Sequence, residues 1–110
     1  RLARISVDEL RNLIDAGSAP VVVDVRSPSV RALDARYIPG ALAMDLHDVR
    51  EHRADLPPER EIVFYCSCPN EASAAAAARQ LMALGYAKVR PLLGGLEEWV
   101  AAGYDVERRA

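Results

Sequence analysis

The sequence predicts an α/β domain built on a central, mostly parallel, five-stranded sheet with helices on both faces. Three observations predict it. Two short, continuous β-branched or aromatic runs, "PVVVDV" (Val21 to Val25) and "IVFYC" (Ile62 to Cys66), have the all-apolar pattern of strands buried on both faces. An alanine-dominated stretch from Ser73 to Leu84, closed by Gly85, reads as a helix packed close to its support. Strand-like and helix-like patterns alternate along the whole chain, as expected of a parallel sheet with crossover helices.

The elements follow in order. A short edge strand through Ile5 precedes a helix announced by Ser6 and Glu9 at capping-box spacing, with Val7, Leu10, Leu13 and Ile14 on one face and Gly17 as the stop. Val21 to Val25 is a central strand. Ser27 to Arg36 is partly helical, Pro39 and Gly40 turn the chain, and Ala41 to Met44 forms a second short strand. Leu46 to His52 is expected to be a brief polar helix ending before Pro57 and Pro58, which cannot propagate one. Ile62 to Cys66 is the third buried strand. After the alanine helix, Val89 to Leu93 is the last strand, Gly94 and Gly95 a tight turn that brings backbone near the cysteine loop, and Leu96 to Ala102 a final helix ending at Gly103. Trp99 is expected in the core, and His47 and His52 on the solvated surface.

At 110 residues, 51% hydrophobic and 27% charged, the chain is expected to form one domain over residues 1–110. A formal charge of −2 without a basic stripe argues against a nucleic-acid partner. No apolar run approaches the roughly 20 residues that cross a bilayer, and no signal peptide opens the chain, so a cytoplasmic location is expected. The first residue is Arg1, which suits an excised soluble domain of a larger, even membrane-anchored, parent.

The chemistry-bearing segment is "YCSCPNEAS", which holds both cysteines. Ligands of open α/β sheets bind beyond the carboxyl ends of the strands, where loops enter helix N-termini. Cys66 ends a central strand, and a loop from there to Ser73 can turn several backbone N–H groups toward one point. A thiol in such a cradle should have a lowered pKa and act as a nucleophile, whereas the bland alternative is a cysteine serving as core filler. A zinc site is not expected, since only two distant histidines are available to complete a pair of cysteines, and no other cofactor is implied. A disulfide across one residue would be strained and redox-labile, leaving Cys68 a candidate resolving thiol.

The order "PVVVDVR", "IPGA", "IVFYC" with its loop, an alanine helix ending "LGY", and "VRPLLGGLEEWVAAGY" closely resembles a single-domain rhodanese, the sulfurtransferase family, over nearly the whole chain. The "CSCPNEAS" loop further looks like the rhodanese domains attached to DedA-type membrane proteins. The resemblance implies a rhodanese-like fold and a cysteine persulfide that takes sulfane sulfur from thiosulfate or a persulfide donor and passes it to a thiol or cyanide acceptor. Matched by strand, the catalytic residue is Cys66; matched by helix, counting back from Ser73, it is Cys68. The strand match is preferred, with Cys68 as alternative or auxiliary. Ser67, Pro69, Asn70, Glu71, Ala72 and Ser73 are then the substrate-holding loop, with Arg26 as an ion-pair partner or a substrate-side cation. Asp24, hydrogen-bonded to loop backbone, and Gly94 and Gly95 give structural support.

This sequence departs from the family's pattern in three places. The segment from Cys66 to Leu81 is about two residues longer, and so is that from Val25 to Ile38, where Arg36 and Tyr37 replace the usual Gly-His. Five residues after Cys66 stands Glu71, an acid that would disfavour dianionic thiosulfate unless its carboxylate points outward. A phosphatase of related fold would need an arginine near the loop's end, but Ala72 and Ala74 occupy those positions and the nearest downstream arginine is Arg79. The alternative of another class is a non-catalytic rhodanese-like module that binds a partner or senses redox state.

Overall fold

The computed structural model describes residues 2–110. Its centre is a parallel four-stranded sheet in the order β3, β1, β4, β5, with β1 at Val21–Asp24, β3 at Leu42–Ala43, β4 at Ile62–Tyr65 and β5 at Val89–Pro91. The register pairs Val21 with Ile62 and Asp24 with Tyr65, so β1 and β4 end side by side. The expected fifth strand is a single parallel bridge between Ile5 and Leu92. Ser6 caps helix α1 (Val7–Asp15) in the next residue, which leaves no length for a strand. The capping box is present, with the Ser6 hydroxyl accepting from the Glu9 N–H at 3.0 Å.

The β-branched run is continuous because alternate residues enter different halves of the core. Val21, Val23, Ile62 and Phe64 face α3 (Ala72–Met82), while Val22, Val63 and Tyr65 face α1 and α4 (Gly95–Ala101). Helix α3 buries Leu81 and four alanines, Ala74, Ala75, Ala77 and Ala78, whose small side chains let the helix backbone approach β4. On the other side Leu10, Leu96 and the fully buried Trp99 fill the space.

The lengthened segment after β1 folds into α2 (Pro28–Leu33), capped by the Ser27 hydroxyl, and then β2 (Arg36–Tyr37). The strand β2 pairs antiparallel with β6 (Glu107–Arg108) in a separate two-stranded ribbon. The polar helix expected over Leu46 to His52 is instead a 3-10 turn at Leu46–Asp48, followed by another at Arg53–Asp55. Such short turns satisfy local backbone groups where no apolar stripe exists to dock a longer helix. His47 and His52 are exposed there.

Candidate active site: a two-thiol loop beyond the central strand

The loops after β1 and β4 start as neighbours, joined by the Val25 N–H donating to the Tyr65 carbonyl at 3.0 Å. Between them lies a cleft of about 300 Å³ lined by Arg26, Ser27, Val30, Cys66, Ser67, Cys68 and Ser73. Both cysteines are free thiols. Cys66 leaves β4 pointing into the α3 side of the core and is only 2% exposed, whereas Cys68 is half-buried. Their Sγ atoms are 2.8 Å apart, in hydrogen-bond contact.

The loop is shaped by two non-glycine residues in the left-handed region, Asn70 at φ 55° and Glu71 at φ 53°. Asparagine tolerates this conformation, but for glutamate it costs on the order of 1 kcal/mol or more. The conformation is held from outside the loop. The Glu71 carboxylate pairs with Arg4 at 2.6 Å and accepts the Gly94 N–H at 3.2 Å, while Arg4 also donates to the Asn70 carbonyl. Gly95, at φ 60°, lies against the carbonyl of Cys66, which accepts the Leu96 N–H at 3.2 Å; a Cβ on Gly95 would collide with that carbonyl oxygen.

The electrostatics of the two thiols differ. Burial pushes the Cys66 thiol up to about 11, and its contact with Cys68 adds to the rise against the backbone N–H groups of Cys68 and Ala74. Burial also opposes a charge on Cys68. There, contacts from Cys66, the Ser73 hydroxyl at 3.2 Å and the backbone N–H groups of Ser73 and Cys68 outweigh it, and the thiol lies below its ordinary value. The lowered pKa anticipated at Cys66 meets opposition from burial, because the first residue after the strand is still inside the core, and the downward direction falls on Cys68.

The residues anticipated around the substrate divide into two groups. Ser67, Ser73 and Arg26 line the cleft with the two cysteines; Pro69, Asn70, Glu71 and Ala72 form the turn behind them and do not. A full ring of N–H groups from residues 67 to 73 around one sulfur is not formed, since the Glu71 N–H donates back to the Cys68 carbonyl at 3.2 Å. Glu71 directs its carboxylate away from the cleft, toward Arg4.

Arg26 is 3% exposed and is not a free cation. Its guanidinium bonds both oxygens of Asp24, at 3.1 and 2.9 Å, and donates to the carbonyls of Asp34 and Arg36. Asp24 also accepts the backbone N–H of Arg26 at 2.9 Å, within its own loop. Two contributors went unread in the sequence. Val30 gives the cleft an apolar wall from α2, and Arg4 braces the loop from 67 residues away, a contact no local pattern could signal.

A parallel α/β sheet whose central strand delivers a thiol pair to a cleft at its carboxyl end defines a domain suited to cysteine-based group transfer. The family model for the rhodanese-like domain matches residues 6–102, and the chain belongs to that family. It is 31% identical over 86 residues to a sulfurtransferase of Allochromatium vinosum, covering 78% of this chain and 77% of the relative. It is 29% identical to the thiosulfate sulfurtransferase GlpE of Pseudomonas syringae, over 87% of this chain and 85% of the relative. Among solved structures, a thiosulfate sulfurtransferase from Pseudomonas aeruginosa superposes with a TM-score of 0.84 at 27% identity, covering 99% of this chain and 20% of that one.

Proposed function

We propose that this domain is a sulfurtransferase that carries sulfane sulfur as a persulfide on Cys68. The observation that supports the reading is the environment of that sulfur: half-buried at the cleft, in contact with the Ser73 hydroxyl and Cys66, with its thiolate favoured. Cys66, the strand-end residue, is the more buried of the two, and burial pushes its thiol up.

The Cys68 thiolate attacks the outer sulfur of the donor. With thiosulfate, the bond to the sulfonate breaks, sulfite leaves with the electron pair, and the persulfide remains on Cys68. A thiophilic acceptor then attacks the outer sulfur: cyanide departs as thiocyanate, a thiolate as a new persulfide, and the Cys68 thiolate is restored. The donor class follows from charge. The cation lining the cleft, Arg26, already neutralises Asp24, so a dianion gains little there. A low-molecular-weight persulfide, with less charge to desolvate, should be the better donor.

The deciding experiment measures thiocyanate formation from each donor and cyanide by wild type, Cys66→Ser and Cys68→Ser. Activity in wild type that disappears in Cys68→Ser supports the reading. Loss confined to Cys66→Ser would move the persulfide to the strand-end residue, and an inactive wild type would leave a binding or redox-sensing module.

A further inference from the structure

Sulfur transfer through Cys68 needs one thiol, yet a second lies against it. The Cys66 and Cys68 Sγ atoms are 2.8 Å apart, and a disulfide bond is about 2.0 Å long, so a shift of under about 1 Å would join them. Their positions are unequal in a useful way. Both line the cleft where a donor arrives, but Cys66 is only 2% exposed and belongs to the core on the α3 side with Val23, Val25, Phe64 and Ala74, whereas Cys68 is half-buried. Sulfur loaded on Cys68 from the cleft therefore meets a thiol on its more buried side, far less exposed to bulk acceptors.

We propose that, building on the sulfur-transfer reading, the pair gives this domain a second activity: reductive release of sulfane sulfur as sulfide, with Cys66 as the resolving thiol. Cys66 Sγ attacks the inner sulfur of the Cys68 persulfide. A Cys66–Cys68 bond forms, the bond to the outer sulfur breaks, and hydrosulfide leaves with the electron pair. The proton of the Cys66 thiol goes to the leaving sulfur or to solvent. The two cysteines are oxidised by two electrons and the sulfane sulfur is reduced to sulfide. An external thiol or dithiol reductant restores the pair by exchange, attacking Cys68, the less buried of the two sulfurs that line the cleft. A ring closed across the single residue Ser67 strains the backbone, which makes the disulfide easy to reduce and suits it to turnover rather than to stapling.

Attack requires the Cys66 thiol to give up its proton, and burial, which pushes that thiol up, makes discharge slow beside loading, for which the Cys68 thiolate is ready. The persulfide also has a choice of fates. A good acceptor in the cleft diverts its sulfur to transfer, and in the absence of one Cys66 discharges it.

The test uses reduced protein under anaerobic conditions, with an equimolar persulfide donor such as glutathione persulfide and no acceptor, removed from excess donor before sulfide is assayed. Released sulfide and intact mass after alkylation are read together. Wild type should release sulfide in proportion to protein and end two hydrogens lighter, with neither cysteine alkylated. Cys66→Ser, and Cys66→Ala as a second variant of different polarity, should instead retain one sulfur atom and release sulfide only on addition of dithiothreitol. Circular dichroism confirms that each is folded. A wild type that keeps its sulfur, releases no sulfide and still makes thiocyanate with cyanide would overturn this inference and leave sulfur transfer standing. A wild type that makes neither sulfide nor thiocyanate would overturn both.

Discussion

Two loops leave the same end of the sheet side by side, and they are built on opposite principles. The loop after β1 is closed by charge: Asp24 and Arg26 form a buried ion pair, Arg26 also ties down the carbonyls of Asp34 and Arg36, and Arg36 grips Asp34 at 2.8 Å. The Arg36 hydrogen bond draws the Asp34 carboxyl down to about 2, so this network stays charged under ordinary conditions. The loop after β4 has no such lock within itself. It bends through two left-handed residues, leaves two sulfur atoms with weak partners, and depends on Arg4 and the Gly94 N–H to hold its turn. The first loop is a wall whose polar groups are already occupied; the second carries groups free to react. The loop with the two free thiols is thus set against a neighbour made rigid by charge.

Breaking the second loop's chemistry should give the largest effect. Cys68→Ala should lower sulfur transfer by about a thousandfold or more in single-turnover sulfur uptake, with little change in thermal stability, since Cys68 is half-buried. Breaking the wall should do the reverse. Asp24→Ala strands the buried Arg26 charge and should cost about 3–5 kcal/mol in denaturant unfolding, with an activity loss that follows the unfolded fraction. An Asp24→Ala protein as stable as wild type would show that the charge network contributes nothing.

Smaller changes sharpen the contrast. Arg4→Ala removes the brace of a partly exposed pair and frees the strained turn. It should lower stability by only about 1 kcal/mol while transfer falls more than that loss of folded protein explains. The smallest effect concerns pH. The reactive form is the thiolate, so uptake should rise with pH along a limb whose midpoint lies below the ordinary cysteine value of about 8.5. Ser73→Ala removes the hydroxyl contact that favours the Cys68 thiolate. The midpoint should move to higher pH and the rate near pH 7 should fall by about threefold, converging with wild type in alkaline solution. An unmoved midpoint would mean that the backbone N–H groups alone hold the charge.

The elements whose information is local were legible. Ser6 and Glu9 announce the start of α1, the Val21 and Ile62 runs state that both sheet faces are covered, and the alanines of α3 mark a helix packed against its strand. The edge strand at Ile5 was overextended because its apolar pattern is cut short by the cap of the following helix, a competition between two local signals.

What the sequence determined by itself is a parallel α/β frame and the delivery of two thiols to the end of its central strand. Periodicity and capping are short-range properties, and strand ends are where such folds bind ligands. Only the tertiary structure decided which thiol is the more buried, where Glu71 points and what Arg26 does. Burial depends on what packs from the far side of the sheet, and the charges that answer Glu71 and Arg26 come from Arg4 and from Asp24 and the carbonyls of the α2 loop. The pKa of a side chain is set by all the atoms within a few ångströms, and the fold draws those atoms from distant parts of the chain.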